Sequence, residues 1–147
     1  MKISNHRAHF DYELLDHFEA GIHLQGQEVK AVRLGHADLT GSFARVNGNE
    51  VYLVNAKIYP YAFARSENYE QNRTRKLLLH KKEILALKQK TDGANLTIVP
   101  ISVYTTRNLI KVELALGKPK KKFDKKERIK KRDIDREIAE TLKARNR

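Results

Sequence analysis

The 147-residue sequence has no cysteine, no tryptophan, one methionine and three prolines. Without cysteine, disulfide staples and thiolate–metal sites are unavailable, and a reducing compartment fits. No stretch approaches the ~20 apolar residues that span a bilayer. The N-terminal run Met1-Lys2-Ile3-Ser4-Asn5-His6 lacks the apolar segment of a secretory signal, so the expected location is the cytoplasm. Motifs of catalysis are scarce too. The histidines (His6, His9, His17, His23, His36, His80) form no His-Glu-x-x-His pair, and no carboxylate pair stands beside an obvious nucleophile. His6 and His9 alone would be two metal ligands without further partners. Gly117-Lys118 resembles the end of a phosphate-cradling loop, but Pro119 stands where a Ser or Thr would hold magnesium. The expectation is a protein that is not an enzyme and uses neither metal nor cofactor.

What the sequence has is positive charge. A net charge of +12 and a pI near 9.9 favour a nucleic acid or an anionic membrane surface as partner. The charge is uneven. Residues 117–147 carry 14 Lys/Arg against 6 Asp/Glu, and residues 1–116 carry 16 against 12. That last fifth has one Phe, three Ile, one Leu and two Ala to bury. So little apolar surface cannot offset the roughly 1–2 kcal/mol per residue that ordering a backbone costs. The division expected is a folded domain over 1–116 and a basic tail over 117–147, disordered when free. Ile129, Ile134, Ile138 and Leu142 recur every four or five residues, a narrow stripe on a latent helix. The stripe is too thin, and too poor in aromatics beyond Phe123, for a membrane-surface helix. Phe123 is isolated among lysines and has no core to join, whereas a nucleotide base is a flat partner worth roughly 1–3 kcal/mol by stacking.

Within the body, residues 5–27 alternate loosely and read as two short strands, or as a strand, a helical turn and a strand. Glu28 to Leu34 has near-helical spacing with Gly35 as its C-terminal stop, and Lys30 and Arg33 share one face. Phe43–Val46 and Val51–Ala56 flank Asn47-Gly48-Asn49, a hairpin signature. A long polar loop spans 62–74. Leu77, Ile84 and Leu87 predict a helix over 77–90, stopped by Thr91-Asp92-Gly93. Two β-branched runs, 96–104 and 109–116, follow. The class expected is mainly β: a small antiparallel barrel decorated by helices. The patch Asn72-Arg73-Thr74-Arg75-Lys76 then leads into the first turn of that helix, where cations oppose the helix dipole. A phosphate backbone would account for the mismatch.

Four blocks, in order, resemble one family. Phe18-Glu19-Ala20-Gly21-Ile22, Gln25-Gly26-Gln27-Glu28-Val29-Lys30, Arg73-Thr74-Arg75-Lys76-Leu77-Leu78-Leu79-His80-Lys81 and Lys120-Lys121-Lys122-Phe123-Asp124-Lys125-Lys126 are similar to SmpB, which partners transfer-messenger RNA (SsrA RNA) in bacterial ribosome rescue. The resemblance runs from about Asn5 to Arg136. It implies an oligonucleotide-binding-type barrel that holds the tRNA-like domain of that RNA through Glu19, Leu78 and Lys111. Together with the basic patches, the body residues expected to meet RNA are Glu19, Glu28, Lys30, Arg33, Asn72, Arg73, Arg75, Lys76, Leu78 and Lys111. The resemblance further implies that the tail probes the decoding centre and the empty mRNA channel of the small ribosomal subunit. That role would fall to Lys118, Lys120, Lys121, Lys122, Phe123, Asp124, Lys125 and Lys126, then Ile129, Lys130, Lys131 and Arg132. There are two departures from the family pattern: Lys126 stands where arginine is common, and Tyr69-Glu70-Gln71 where an Asp-Pro pair is frequent.

Overall fold

Strands whose side chains alternate between an aliphatic and a polar face can bury one face by closing on one another, and six strands of this chain do so. The computed structural model describes residues 1–61, 69–120 and 136. In chain order its elements begin with β1 (Lys2–Ser4), α1 (His6–Asp11), β2 (Tyr12–Ile22), α2 (Gly26–Arg33) and β3 (Ala37–Asp38). The hairpin of β4 (Phe43–Asn47) and β5 (Glu50–Val54) follows, then β6 (Lys57–Ile58), β7 (Arg75–Leu78) and α3 (Lys81–Gly93). A long hairpin of β8 (Thr97–Thr106) and β9 (Leu109–Pro119) completes the body. Every pairing is antiparallel, in the order β8-β4-β5-β7-β2-β9, and β9 pairs back onto β8. The result is a small barrel-like ring with β1 added to β8, while β3 and β6 form a separate two-stranded ribbon. The mainly β class with flanking helices is the one expected from sequence.

The ring is filled by Ala20, Val51, Leu53, Leu77, Ile98, Val112, Leu114 and Leu116, and capped by Ala31 and Val32 of α2 and Leu87 of α3. A smaller core of Ala8, Val99, Ile101 and Ala115 seats α1 against the outer side of β8 and β9. Pro100 sits where the β8–β9 register shifts, a bulge that tolerates a residue without an N–H.

Several local expectations change. Residues 6–11 are helical, and the apolar alternation after them is one 11-residue strand rather than two short ones. Leu77 belongs to β7, not to a helix. Arg75, Lys76, Leu77 and Leu78 alternate buried and exposed, and α3 starts only at Lys81, where the Glu83 carboxylate accepts from the His80 N–H at 3.2 Å. Seven-residue spacing from Leu77 to Ile84 mimics a helix face by coincidence. In the first hairpin Asn47 pairs with Glu50, so the turn is Gly48-Asn49, with Gly48 at φ +63°. Thr105 and Thr106 prolong β8, and the second hairpin turns on Arg107 (φ +47°) and Asn108 (φ +66°) alone.

The body also ends later than residue 116. Gly117, Lys118 and Pro119 continue β9, opposite Leu14, Glu13 and Tyr12. The Lys120 N–H donates to the Asp11 carbonyl at 3.0 Å and its ammonium to the His9 carbonyl at 3.0 Å. Glycine at 117 makes this possible: a Cβ there would stand 2.9 Å from Tyr12 Cδ1 and 3.0 Å from Val99 Cγ2. Gly117→Ala is therefore expected to destabilise the fold by about 1–3 kcal/mol, the usual cost of overpacking, measured by urea unfolding.

Candidate nucleic-acid interface

The site is built around β2, the strand between β7 and β9. Gly21 of β2 pairs with Leu78 on one side and Lys111 on the other, so the three lie in one row across three strands. The inward faces of these strands carry Ala20, Leu77 and Val112, which period-two alternation requires if Gly21, Leu78 and Lys111 face out. Leu78 is 51% exposed. Gly21 has no side chain to fill the row, and a Cβ there would meet Leu78 Cβ at 3.2 Å. A cleft of about 330 Å³ results, with Ile22, Leu24, Val29 and Leu109 in its walls and Arg33 and Lys111 at its edge. Glu19, two residues before Gly21 on the same side of β2, lines an adjoining cavity with Leu78, His80 and Lys111.

Glu19 stands directly opposite Glu113, a like-charge pair that needs compensation. Tyr104 supplies part of it by donating its hydroxyl to Glu19 Oε2. The phenol is pushed up to about 12, by burial first, then by that bond and the charges of Glu19 and Glu113. Glu113 in turn takes the Ser102 hydroxyl at 3.3 Å and contacts His17 Nδ1 at 3.0 Å. The carboxylate of Glu19 is thus oriented by a tyrosine.

The 72–76 patch divides sharply. Arg75 is 0% exposed and Glu28 1%, and they meet at 2.5 Å. Arg75 also donates to the carbonyls of Ala56, Arg73 and Gln71 at 2.9–3.1 Å. Glu28 accepts besides from Arg73 at 2.5 Å and from the Gln25 N–H at 2.8 Å, which caps the start of α2. A side chain enclosed this way cannot reach a nucleic acid. Glu28 and Arg75 are corrected from RNA contacts to a buried clasp joining α2 to the segment before β7, and Arg73 is half-buried on the same carboxylate. The dipole rationale for this patch is corrected with them, since the patch enters a strand.

Other expected residues lie apart. Lys30 sits over the Tyr61 ring, 5.4 Å from its centroid, while Arg33 reaches the second hairpin and donates to the Asn108 carbonyl at 3.2 Å. Asn72 and Lys76 are exposed, the latter paired with Glu50 at 3.1 Å. Lys118 and Lys120 belong to the body. The tail residues Lys121 to Arg132 lie outside the described residues, as does the 62–68 part of the polar loop. The sequence reading does not place Gly21, Tyr104 and Leu109 at this row, its carboxylate or its cleft. A glycine inside an alternating strand was the available signal for the first, since it marks close approach of a backbone or ligand. Nothing local marks the other two.

A small closed antiparallel ring whose outer face sets lysine and arginine beside exposed leucines has the make-up of an oligonucleotide-binding module. The chain belongs to the SmpB protein family, whose model matches residues 2–144. It is 48% identical over 141 residues to the SsrA-binding protein of Carboxydothermus hydrogenoformans, covering 96% of this chain and 95% of that protein. With the SsrA-binding protein of Thermosipho africanus the identity is 48% over 145 residues, or 98% and 97% of the two chains. A solved structure described as "tmRNA-SmpB: a journey to the center of the bacterial ribosome" matches at 46% identity and TM-score 0.69, over 82% of this chain and 85% of that one.

Proposed function

We propose that the chain is an RNA-binding adaptor, not a catalyst, that grips the tRNA-like domain of transfer-messenger RNA and delivers it to stalled ribosomes for trans-translation. The observation that carries this reading is the outward row of Leu78, Gly21 and Lys111, with Glu19 beside it, in a chain of the SmpB family. Lys111 answers a phosphate, and Leu78 covers the face of an unstacked base. Glu19, held by Tyr104, accepts from a base or sugar donor. The basic tail, from Lys121 onward, then enters the decoding centre and the vacant mRNA channel, where an mRNA still in place would exclude it. Working on ribosomes, the protein acts in the cytoplasm, and no helix among the described residues is long and apolar enough to cross a membrane.

A competition assay tests the body's role. Transfer-messenger RNA is expected to displace itself far better than ordinary tRNA or unrelated RNA of equal length does. Equal competition by all three would make the protein a general RNA chaperone instead. Lys111→Glu should weaken binding by about tenfold or more, equivalent to ~1.4 kcal/mol, and flatten the salt dependence by roughly one phosphate, 0.7–0.9 in log–log slope. An unchanged slope and affinity in a folded Lys111→Glu protein would remove this face from the interface.

A further inference from the structure

The turn between β8 and β9 is an unusual place for an arginine. A two-residue hairpin turn of this kind holds both central residues at positive φ, which Asn, Asp and Gly adopt far more readily than a long side chain does. Arg107 nevertheless stands first, at φ +47°, followed by Asn108 at φ +66°. Thr105 and Thr106 pair with Ile110 and Leu109 across the turn, so its register is fixed. A backbone held against its residue's preference points to a use for the side chain.

The turn places one guanidinium beside another. Arg107 is exposed at a cavity of about 400 Å³ lined by Met1, Arg33, Thr105, Arg107 and Asn108. Among the described residues no carboxylate lines it, and neither arginine has an ion pair. Arg33, the last residue of α2, uses one of its five N–H donors on the Asn108 carbonyl at 3.2 Å, which ties that guanidinium to the turn. Two like charges gathered without a carboxylate repel each other. A phosphate group relieves the repulsion, and its oxygens match the fork of an arginine.

The cavity adjoins the β2 row. It shares Arg33 and Asn108 with the 330 Å³ cleft that holds Gly21, Leu78 and Lys111. Leu109, 58% exposed, lies between Arg107 and Lys111, which are four residues apart and so no more than ~14 Å along the chain. A nucleic-acid strand that crosses Leu78, Gly21 and Lys111 meets the two arginines next if it continues over the turn.

We propose that Arg33 and Arg107 form a clamp for an RNA backbone phosphate, one step beyond Lys111. The inference rests on the reading of the β2 face as an RNA interface and extends that face onto the β8–β9 turn. The clamp fixes the direction of the strand and reads no base.

The test is binding of full-length protein to the tRNA-like domain of transfer-messenger RNA over a range of salt. Asparagine accepts positive φ, so Arg107→Asn should unfold in urea at or above the wild-type midpoint. Its affinity is expected to fall about three- to tenfold and its log–log salt slope by roughly 0.7–0.9, the loss of one phosphate contact. Arg107→Lys should keep the slope, since the charge remains, with part of the affinity lost along with the fork. Wild-type affinity and slope in Arg107→Asn overturn the clamp, and a weakened Lys111→Glu beside it leaves the row standing. Loss in Arg107→Asn with Lys111→Glu unaffected keeps the clamp and removes the row, so the two failures are told apart. An equal loss in Lys88→Gln, which removes one charge from α3 outside both cavities, would make the effect one of net charge and overturn the proposal. A lowered urea midpoint in Arg107→Asn would show that the arginine serves the fold, and would overturn it too.

Discussion

Glu28→Ala is expected to lower the unfolding free energy by about 3–5 kcal/mol, the usual cost of removing one partner of a buried ion pair. The residue it abandons is Arg75, fully enclosed and unable to shed its proton. Three carbonyls remain around the guanidinium, but none carries a compensating full charge. The loss includes the Gln25 cap and the Arg73 contact, so the start of α2 and the segment before β7 loosen together. Thermal and urea unfolding would measure it, with hydrogen exchange at residues 25–33 and 71–78 locating the damage. A double replacement, Glu28→Leu with Arg75→Met, is expected to recover much of the stability, because an apolar pair of similar volume removes the stranded charge. Should Glu28→Ala cost less than about 1 kcal/mol, a typical surface effect, the clasp does not hold the fold together.

The same clasp sets a pH dependence. Burial is the largest single influence on the Glu28 carboxyl and pushes it up. The bonds from Arg73, the Gln25 N–H and Arg75, with the Arg75 charge, outweigh burial and hold it below its ordinary 4.5. A carboxylate depressed by folding stabilises the native state fully above its unfolded value and ceases to do so as pH falls through the lower folded one. Stability of the wild type should therefore decline below about pH 4.5, more steeply than that of the Glu28→Leu/Arg75→Met protein.

Ending the chain after Lys120 is expected to separate the two activities proposed for it. The β2 row and the whole of β9 stay intact, so affinity for the tRNA-like domain should hold within about tenfold, or ~1.4 kcal/mol. Twelve of the thirty lysines and arginines are gone, which should flatten the salt dependence of binding to longer RNA. Peptidyl transfer to transfer-messenger RNA on a stalled ribosome should fall on the order of 100-fold or more, ~2.7 kcal/mol or above in barrier. The cut matters. A chain ending at Leu116 also removes the pairing of Gly117, Lys118 and Pro119 with β2 and the Lys120 contacts to α1, so its failure would report unfolding. Normal rescue by the Lys120-terminated chain would refute a tail that reads the channel.

Legibility from sequence followed the range of the interactions involved. The Gly35 stop of α2 and the Gly48 turn of the first hairpin depend on a few neighbouring residues, and both stand close to where the pattern puts them. Leu77 was misassigned because its helical spacing to Ile84 and Leu87 competed with a four-residue alternation. Pairing of β7 with β5 and β2 decided the matter. Leu78 and Lys111 were expected on the binding face through family resemblance, but their neighbourhood was not. They meet across Gly21 only because β2 lies between β7 and β9.

By itself the sequence determined what kind of partner suits this protein, because net charge, its crowding into the last fifth and the order of four motif blocks are properties of the chain as written. Only the tertiary structure decided which of the cations are available to that partner. Arg73, Arg75 and Lys76 are neighbours in one basic run, yet one is enclosed, one half-buried and one in solvent. What separates them is a carboxylate 47 residues before Arg75, brought against it by the closing of the ring.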